Sequence, residues 1–401
     1  MATLLLVLIY VSFISLGLPD ALLGAAWPVM QPEFGVPYGL AGLAQIIISG
    51  GTIVSSMVSG AVLKRFGIGK VTAVSVGMTA LALLGFSIAP SFWWLLAAAL
   101  PLGLGAGSVD AGLNSFVASH YESRHMSWLH SFWGVGALGG PLVLSALLYQ
   151  GFPWRTGYAS VGVFQVVLVV VLIAAIPLWS RVRVRAGAEG GGHDHEHIPL
   201  FAALKIRGVG FAMLTFLVYC GIEASMGLWG GSYLFKSRGL DPAQAATWVS
   251  LFYASITAGR FLTGFLTYRL SNRAMIRGGA VLVLFGVILM LLPLSLPGAL
   301  TGFLLIGLGC APIFPCMLHE TPVRFGAKHS QAIMGFQMAL AYVGSTVLPP
   351  LFGLAAGESR FWLLPVFALG YILVLLASTV VLDRQTVQNP QVQDAVVTES
   401  P

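Results

Sequence analysis

An aspartate stands inside a glycine-rich apolar run, and an asparagine follows it four residues later. The run extends over residues 101–118, and the two polar residues are Asp110 and Asn114. In a helix, residues four apart point from the same face, so the carboxylate and the amide should lie together. An ionisable side chain at membrane depth costs roughly 2.5–3.5 kcal/mol on insertion scales and normally faces a bundle interior or a water-filled cavity. We therefore expect this pair to line an internal polar space.

Two further acids lie within apolar runs. Asp20 follows Pro19, and proline removes a backbone hydrogen bond and loosens a helix. Because burial destabilises a charged carboxylate, such a group can hold a proton in one conformation and release it in another. Asp20 and Asp110 are therefore the candidates for ion coupling, the alternative being a neutral or hydrogen-bonded structural aspartate. Glu223 can accept sugar hydroxyl groups, pair with a cation or bond within the bundle.

One cation and several neutral polar or aromatic side chains also fall inside apolar runs. Arg260 is expected to partner an acid or a carbonyl group near the cytoplasmic end of its helix, or to form a gate salt bridge. Glu320 is expected to be an interfacial group near Arg324. Each amide or aromatic side chain that could bind a substrate could instead have a structural role, either by hydrogen bonding between helices or by packing. The predicted substrate-binding residues are Asn114, His130, Trp133, Glu223, Trp229 and Gln337.

The composition excludes a soluble globular protein. The chain of 401 residues is 57% hydrophobic and 8% charged, against about 25% charged in ordinary soluble domains. The apolar runs are continuous over about twenty residues, which predicts membrane-spanning helices rather than the alternating strands of a barrel. The twelve predicted spans lie near residues 4–30, 38–63, 70–89, 92–118, 127–150, 157–180, 208–235, 243–268, 275–296, 298–319, 329–354 and 360–382.

The positive charges indicate how these spans are oriented. Most lysines and arginines fall in alternate loops, so the positive-inside rule predicts that both termini are cytoplasmic. The net charge of +6 does not indicate a nucleic-acid partner, because the basic residues flank the membrane. We expect a multi-pass monomer in the lipid bilayer of the cytoplasmic (inner) cell membrane.

One long polar break divides the chain into two halves. We predict an N-terminal six-helix bundle at 1–182, a flexible cytoplasmic linker at 183–206, a C-terminal six-helix bundle at 207–385 and a disordered tail at 386–401. The linker contains His193, His195 and His197, and alternating histidines can bind a metal. A solvated loop is favoured, because a flexible segment offers no fixed ligand geometry; no metal site is predicted.

The two halves repeat one feature. A glycine followed five residues later by an arginine ends the second span, as Gly60 and Arg65, and the eighth span, as Gly264 and Arg269. We expect each glycine to permit close helix contact and each cation to anchor its loop. Two halves of six helices are typical of a repeat transporter, whose site lies near the bilayer midplane.

These residues give the chain a resemblance to the major facilitator superfamily. The loop motif of that family runs roughly Gly-x-x-x-Asp-Arg-x-Gly-Arg-Lys, and Gly60, Arg65, Gly67 and Lys70 match it. Lys64 stands where the family usually has an acid, so the family's loop-to-helix charge contact does not carry over directly. The resemblance covers residues 4–383 and implies an all-α fold of twelve transmembrane helices in two six-helix bundles.

A narrower resemblance is to the fucose:proton symporter-like branch, which includes sodium-dependent glucose transporters. In the fucose symporter, acids in the first and fourth helices serve protonation and substrate binding, which implies these roles for Asp20 and Asp110. The matching segments are Leu18–Gly24, Asp110–Asn114, Trp128–Gly136, Tyr219–Glu223 with Trp229, Gly259–Arg260 and Gly307–Pro315.

The favoured hypothesis is a secondary active transporter that works by alternating access. It would carry a sugar, most simply a monosaccharide, or a similar small polar solute with H⁺ or Na⁺, and it would need no cofactor besides that ion. The alternatives are an exporter of drugs or apolar metabolites on the same fold and a non-transporting receptor or scaffold. We expect no enzyme, since no nucleophile–base or metal spacing occurs in the sequence. Proton or sodium coupling, import or export, and substrate identity stay open.

Overall fold

A computed structural model of the chain describes residues 2–121, 123–179 and 204–387. Within these ranges the regular structure is helical, and twelve segments are long and apolar enough to cross a membrane. The predicted all-α fold with twelve spans is confirmed. The orientation of the termini stays a prediction, and His193, His195 and His197 lie outside the described residues.

The described part of the chain contains fourteen α-helices. They are α1 (Ala2–Asp20), α2 (Leu22–Phe34), α3 (Ala41–Phe66), α4 (Ile68–Ser87), α5 (Phe92–His120), α6 (Ser123–Tyr149), α7 (Trp154–Ala174), α8 (Val209–Arg238), α9 (Pro242–Leu266), α10 (Asn272–Leu291), α11 (Leu296–Cys310), α12 (Ile313–Phe325), α13 (Ala327–Ala356) and α14 (Leu364–Val387). Short 3-10 turns precede α3 and α14, at Tyr38–Leu40 and Phe361–Leu363.

Two of the spans consist of two helices each. The first span breaks at Ala21, between α1 and α2, two residues after Pro19. The tenth span breaks before α12 at Pro312. A proline cannot donate the backbone hydrogen bond that continues a helix, which accounts for an interruption near each. The loosening expected at Pro19 is confirmed, and it leaves Asp20 at the end of a helix in the middle of a span.

The chain forms two compact units. The described part of unit 1 comprises residues 2–179 without residue 122, together with Gly227–Ala254 and Pro350–Phe361; that of unit 2 comprises residues 204–226, Ser255–Pro349 and residues 362–387. The predicted division at the 183–206 linker stays a prediction, since most of that segment and of the 386–401 tail lies outside the described residues.

In unit 1, α5 lies directly against α3. A Cβ atom on Gly103 would overlap the carbonyl oxygen of Ile48, and one on Gly107 would overlap that of Thr52. The Thr52 hydroxyl group also donates to the Gly103 carbonyl oxygen at 3.2 Å. Gly103 and Gly107 of the 101–118 run therefore permit close helix packing, and they fix the position of Asp110 and Asn114 on the same helix.

Glycines likewise bring α1 against α6 in unit 1. A Cβ atom on Gly17 would overlap the carbonyl oxygen of Trp133, and one on Gly136 would overlap that of Ile14. Asp20 follows Gly17 by three residues and so projects from the same side of α1. This face of α1 is therefore turned towards α6, which brings Asp20 beside Trp133.

The glycines of the repeated loop feature do not have the expected role. A Cβ atom on Gly60 or on Gly264 would meet no described atom within 4 Å. The prediction that each permits close helix contact is wrong for this structure, because neither glycine has a backbone neighbour among the described residues.

A methyl group at the α5–α3 contact should destabilise the protein measurably. We expect Gly103→Ala to lower the unfolding free energy by about 1–3 kcal/mol, the usual range for overpacking. Gly278→Ala is the matched control, since Gly278 lies within α10 with open space around it and alanine is favoured in helices. The measurement is the thermal unfolding midpoint of both variants in detergent. Equal midpoints would contradict the packing described here.

Candidate functional site

The centre of unit 1 contains a carboxylate held by an indole. Trp133 Nε1 on α6 donates a hydrogen bond of 2.7 Å to Asp20 Oδ2. The Asp20 side chain is exposed and Trp133 is partly buried, although both lie within spans. A carboxylate in contact with lipid would be costly, and the face of α1 that carries Asp20 is turned towards α6. The Asp20–Trp133 pair therefore borders a polar space inside the protein.

The second predicted acid lies in the same unit. Asn114 Nδ2 donates to Asp110 Oδ1 at 2.8 Å, which is the contact that the four-residue spacing predicts. The other end of the amide, Asn114 Oδ1, is buried and has no hydrogen-bond donor among the described residues. Asp110 is close enough to Asp20 for the two carboxylates to interact electrostatically. The amide oxygen has capacity for a further hydrogen bond, but because it is buried in this conformation its contact with a solute stays a prediction.

Two aromatic or basic side chains extend this region of unit 1. His130 precedes Trp133 by three residues on α6, is exposed, and packs edge-on against Phe13 with ring centroids 6.1 Å apart. Tyr253 packs edge-on against Trp133 at 6.4 Å. Tyr253 is not among the predicted site residues, because its contact with Trp133 joins residues 120 positions apart. We refer to Asp20, Asp110, Asn114, His130 and Trp133 below as the acidic cluster.

Unit 2 contains a separate buried ion pair. Arg260 Nη2 lies 3.7 Å from Glu223 Oε1, and Tyr219 Oη donates to Glu223 Oε2 at 2.5 Å. The side chains of the ion pair are only 17% and 15% exposed. The expected acid partner of Arg260 is therefore present. In this conformation Glu223 is paired with Arg260 and bonded by Tyr219, so its predicted contact with a solute stays a prediction.

Removing one charge of this pair should cost more than removing both. We expect Glu223→Gln to lower the unfolding free energy by about 1–3 kcal/mol, less than for a fully buried pair, because the Arg260 guanidinium loses its counter-charge. The double variant Glu223→Gln/Arg260→Met should recover much of that loss. Thermal unfolding midpoints of the three proteins test the expectation, and additive losses in the double variant would contradict it.

The remaining predicted substrate ligands are buried. Trp229 is fully buried and packs against Phe352 and Phe361 in unit 1, at ring-centroid distances of 6.0 and 5.9 Å. Gln337 in unit 2 is 1% exposed and accepts a hydrogen bond of 2.9 Å from Thr321 Oγ1. Neither side chain faces open space in this structure, so their contact with a solute stays a prediction that requires a different conformation.

The predicted loop-motif residues lie at helix ends. Gly67 joins α3 to α4 with a positive φ of 80°, a conformation that favours glycine. Arg65 and Lys70 are exposed, and the Arg65 guanidinium lies 5.4 Å from the centroid of the Phe66 ring. Gly264 and Arg269 of the repeated feature are also exposed. A gating role for these residues stays a prediction.

An ion-pair network that was not predicted from the sequence joins the ends of α10, α12 and α14. Arg324 Nη1 lies 2.6 Å from Asp383 Oδ1, and Arg324 Nε lies 3.2 Å from Glu320 Oε2. Arg273 contacts Glu320 at 3.1 Å, and Arg277 pairs with Asp383. The expected proximity of Glu320 and Arg324 is confirmed, and Glu320 is buried in this network. Its position at the membrane interface stays a prediction. The sequence signal that could have indicated this network is an acid at the end of the last span together with three arginines at the ends of other spans.

Comparison with known proteins establishes the family of the chain. The model of the Major Facilitator Superfamily matches residues 9–349 and, in a second match, residues 211–396. Together with the twelve spans, this shows that the chain belongs to the Major Facilitator Superfamily and is a multi-pass membrane transporter. The predicted superfamily and the expectation of a transporter rather than an enzyme are confirmed by this membership.

The relatives include both characterised and uncharacterised transporters. The chain is 24% identical over 325 residues to the glucose/mannose transporter GlcP of Bacillus subtilis, covering 79% of each chain. It is 25% identical over 328 residues to an uncharacterised MFS-type transporter of Yersinia pestis, covering 80% of each. It is 25% identical over 259 residues to the niacin transporter NiaP of Acinetobacter baylyi, covering 57% of this chain and 58% of that one.

A solved structure shares the fold. The bacterial homologue of the human lysosomal transporter Spinster, in its inward-facing and unoccupied conformation, superposes with a TM-score of 0.68 at 13% identity, covering 96% of this chain and 95% of that one.

Proposed function

We propose that the chain moves a monosaccharide or a similar small polyhydroxylated solute across the cytoplasmic membrane by alternating access, coupled to H⁺ or Na⁺. The observation that carries this proposal is the Asp20–Trp133 hydrogen bond at an exposed position within the spans. The protein acts as a monomer and needs no cofactor besides the coupling ion.

The chemistry of the acidic cluster suits a sugar. A carboxylate accepts hydrogen bonds from hydroxyl groups, and an indole can pack against the C–H face of a sugar ring. Asp20 and Trp133 offer these two functions side by side, and the unpaired Asn114 Oδ1 adds a further acceptor. The relationship to GlcP, a glucose/mannose transporter, supports the same substrate class.

The two carboxylates of the cluster supply the ion coupling. A carboxylate within a span is costly while it is charged and without a counter-ion, so it favours either protonation or a bound cation. Asp110 is a candidate for coupling because it is a carboxylate within a span, and its hydrogen-bonded neighbour Asn114 is uncharged. Asp20, which is exposed beside Trp133, links the ion to the solute.

A thermal-shift screen of the purified chain tests the substrate class. We expect a hexose such as glucose or mannose to raise the unfolding midpoint, and the shift to depend on pH or on Na⁺. Trp133→Phe should weaken the shift, because phenylalanine lacks the N–H group that orients Asp20. Trp128→Phe is the matched control on the same helix, where the indole is 47% exposed.

The outcomes of this screen separate the alternatives. Stabilisation by nicotinate but by no sugar would replace the sugar proposal with transport of an organic anion, as the similarity to NiaP suggests. Stabilisation by apolar compounds alone would favour the exporter of drugs or apolar metabolites. A hexose shift that is unchanged in Trp133→Phe would show that the solute binds elsewhere.

A further inference from the structure

Unit 1 contains a cavity of about 580 Å³ that is separate from the acidic cluster. It lies where α3 ends and α4 begins, and α5 and the segment after α7 complete its wall. Lys64 and Lys70 lie in its lining, and both side chains are exposed. The described residues that line it include no carboxylate. The cavity is therefore positively charged.

The first turn of α4 faces this cavity. Gly67 is the N-cap of α4, and no side chain caps the helix. The backbone N–H groups of Ile68, Gly69 and Lys70 are the first of a helix of 20 residues and have no acceptor within it. Such a terminus carries a partial positive charge and favours anions. A helix N-terminus alone does not define a site.

A buried indole supplies an independent indication of a ligand. Trp179 is 5% exposed, and its Nε1–H group has no hydrogen-bond acceptor among the described residues. A Cβ atom on Gly69 would lie 2.6 Å from Trp179 Cδ1 and 3.1 Å from Nε1, so the unpaired donor lies beside the first turn of α4. Leaving such a donor buried and unpaired is unfavourable. An acceptor atom in the cavity removes that cost.

Aromatic packing holds the donor in place. The Phe116 ring packs edge-on against Trp179 with centroids 4.9 Å apart, and it stacks on His120 at 4.2 Å. One ring nitrogen of His120, Nδ1, lies 2.9 Å from the Phe116 carbonyl oxygen. Because Nδ1 then donates to that oxygen, the other nitrogen, Nε2, is free to face the cavity that His120 lines.

We propose that this cavity binds a phosphate group. Phosphate offers several acceptor oxygens, which match the three features that converge here: the α4 N-terminus, the lysine ammonium groups and the Trp179 N–H group. The same chemistry is available from the headgroup of an anionic phospholipid or from free phosphate in solution. Gly69 has a specific part in the site, because any larger residue there would displace the indole.

The experiment compares the two sources with the purified full chain. Inorganic phosphate is titrated at constant ionic strength against chloride while the unfolding midpoint is followed. In a second arm, native mass spectrometry measures retention of phosphatidylglycerol against phosphatidylcholine. We expect one source to bind, and Trp179→Phe or Lys64→Gln/Lys70→Gln to weaken its binding by about tenfold or more, since each removes a donor to a charged acceptor. Retention of the lipid without a phosphate response identifies the headgroup, and the reverse identifies free phosphate.

Matched variants exclude general effects of charge and of tryptophan content. Lys205→Gln/Arg207→Gln removes two exposed positive charges in unit 2, and Trp93→Phe alters an indole that is 73% exposed. Neither should change binding. The lysine double variant lies at the surface, so it tests the site even if Trp179→Phe does not fold. Binding of neither source, or equal losses in the site and control variants, would overturn the proposal.

Discussion

Replacing Asp110 by asparagine should abolish ion-driven accumulation of the solute and leave exchange between solute pools intact. A tenfold ion gradient supplies about 1.4 kcal/mol per ion, which the protein can use only where ion binding and solute binding are linked. Asparagine keeps the size of the side chain and can still bond Asn114, but it neither releases a proton nor carries the charge that binds Na⁺. The accumulation ratio should therefore fall to one.

The measurement is uptake of labelled solute into proteoliposomes with an imposed H⁺ or Na⁺ gradient, compared with exchange in the absence of a gradient. Asp241→Asn is the matched control. Asp241 is an exposed acid before α9 whose carboxylate accepts a hydrogen bond of 2.9 Å from the Gln244 backbone, a capping role that asparagine also performs. A variant at Asp110 that still concentrates solute would show that this carboxylate does not couple the ion.

Replacing Asp383 by alanine should produce the largest loss of stability among the described ion pairs. Asp383 bonds both Arg324 and Arg277, and the Arg324 side chain is 4% exposed. Removal of Asp383 leaves Arg277 without this acid and Arg324 sharing Glu320 with Arg273. Breaking a buried pair from one side costs about 3–5 kcal/mol, because it leaves an uncompensated charge.

The order of two variants tests this account of the network. Removing Arg324 as Arg324→Leu leaves Glu320 with Arg273 and Asp383 with Arg277, so each remaining acid keeps one arginine. We therefore expect Arg324→Leu to lower the thermal unfolding midpoint less than Asp383→Ala. If Arg324→Leu is the more destabilising change, packing of the Arg324 stem rather than charge balance stabilises this end of unit 2.

Local features of the chain were predictable because they depend on short spacings. Continuous apolar runs predict spans, Pro19 predicts the break beside Asp20, and the spacing of Asp110 and Asn114 predicts their hydrogen bond. Each of these involves residues within a few positions of one another, where helix geometry alone decides which groups meet.

The contacts between helices were not predictable from one sequence. Trp133 lies 113 residues from Asp20, and Asp383 lies 59 residues from Arg324. Glycine shows the same limit. At Gly103 it meets the backbone of α3, whereas at Gly60 no described atom lies within 4 Å of the Cβ position. The residue type permits close approach, but only the packing of the helices decides whether a neighbour is there.

The most direct test of coupled sugar transport is to let the sugar drive the ion. Proteoliposomes with no imposed ion gradient contain a pH indicator or a sodium indicator, and an inward gradient of the stabilising hexose is applied. The acidic cluster predicts that H⁺ or Na⁺ enters with the sugar and that Asp110→Asn prevents this entry. Sugar entry without movement of either ion, or no sugar entry at all, would contradict the account.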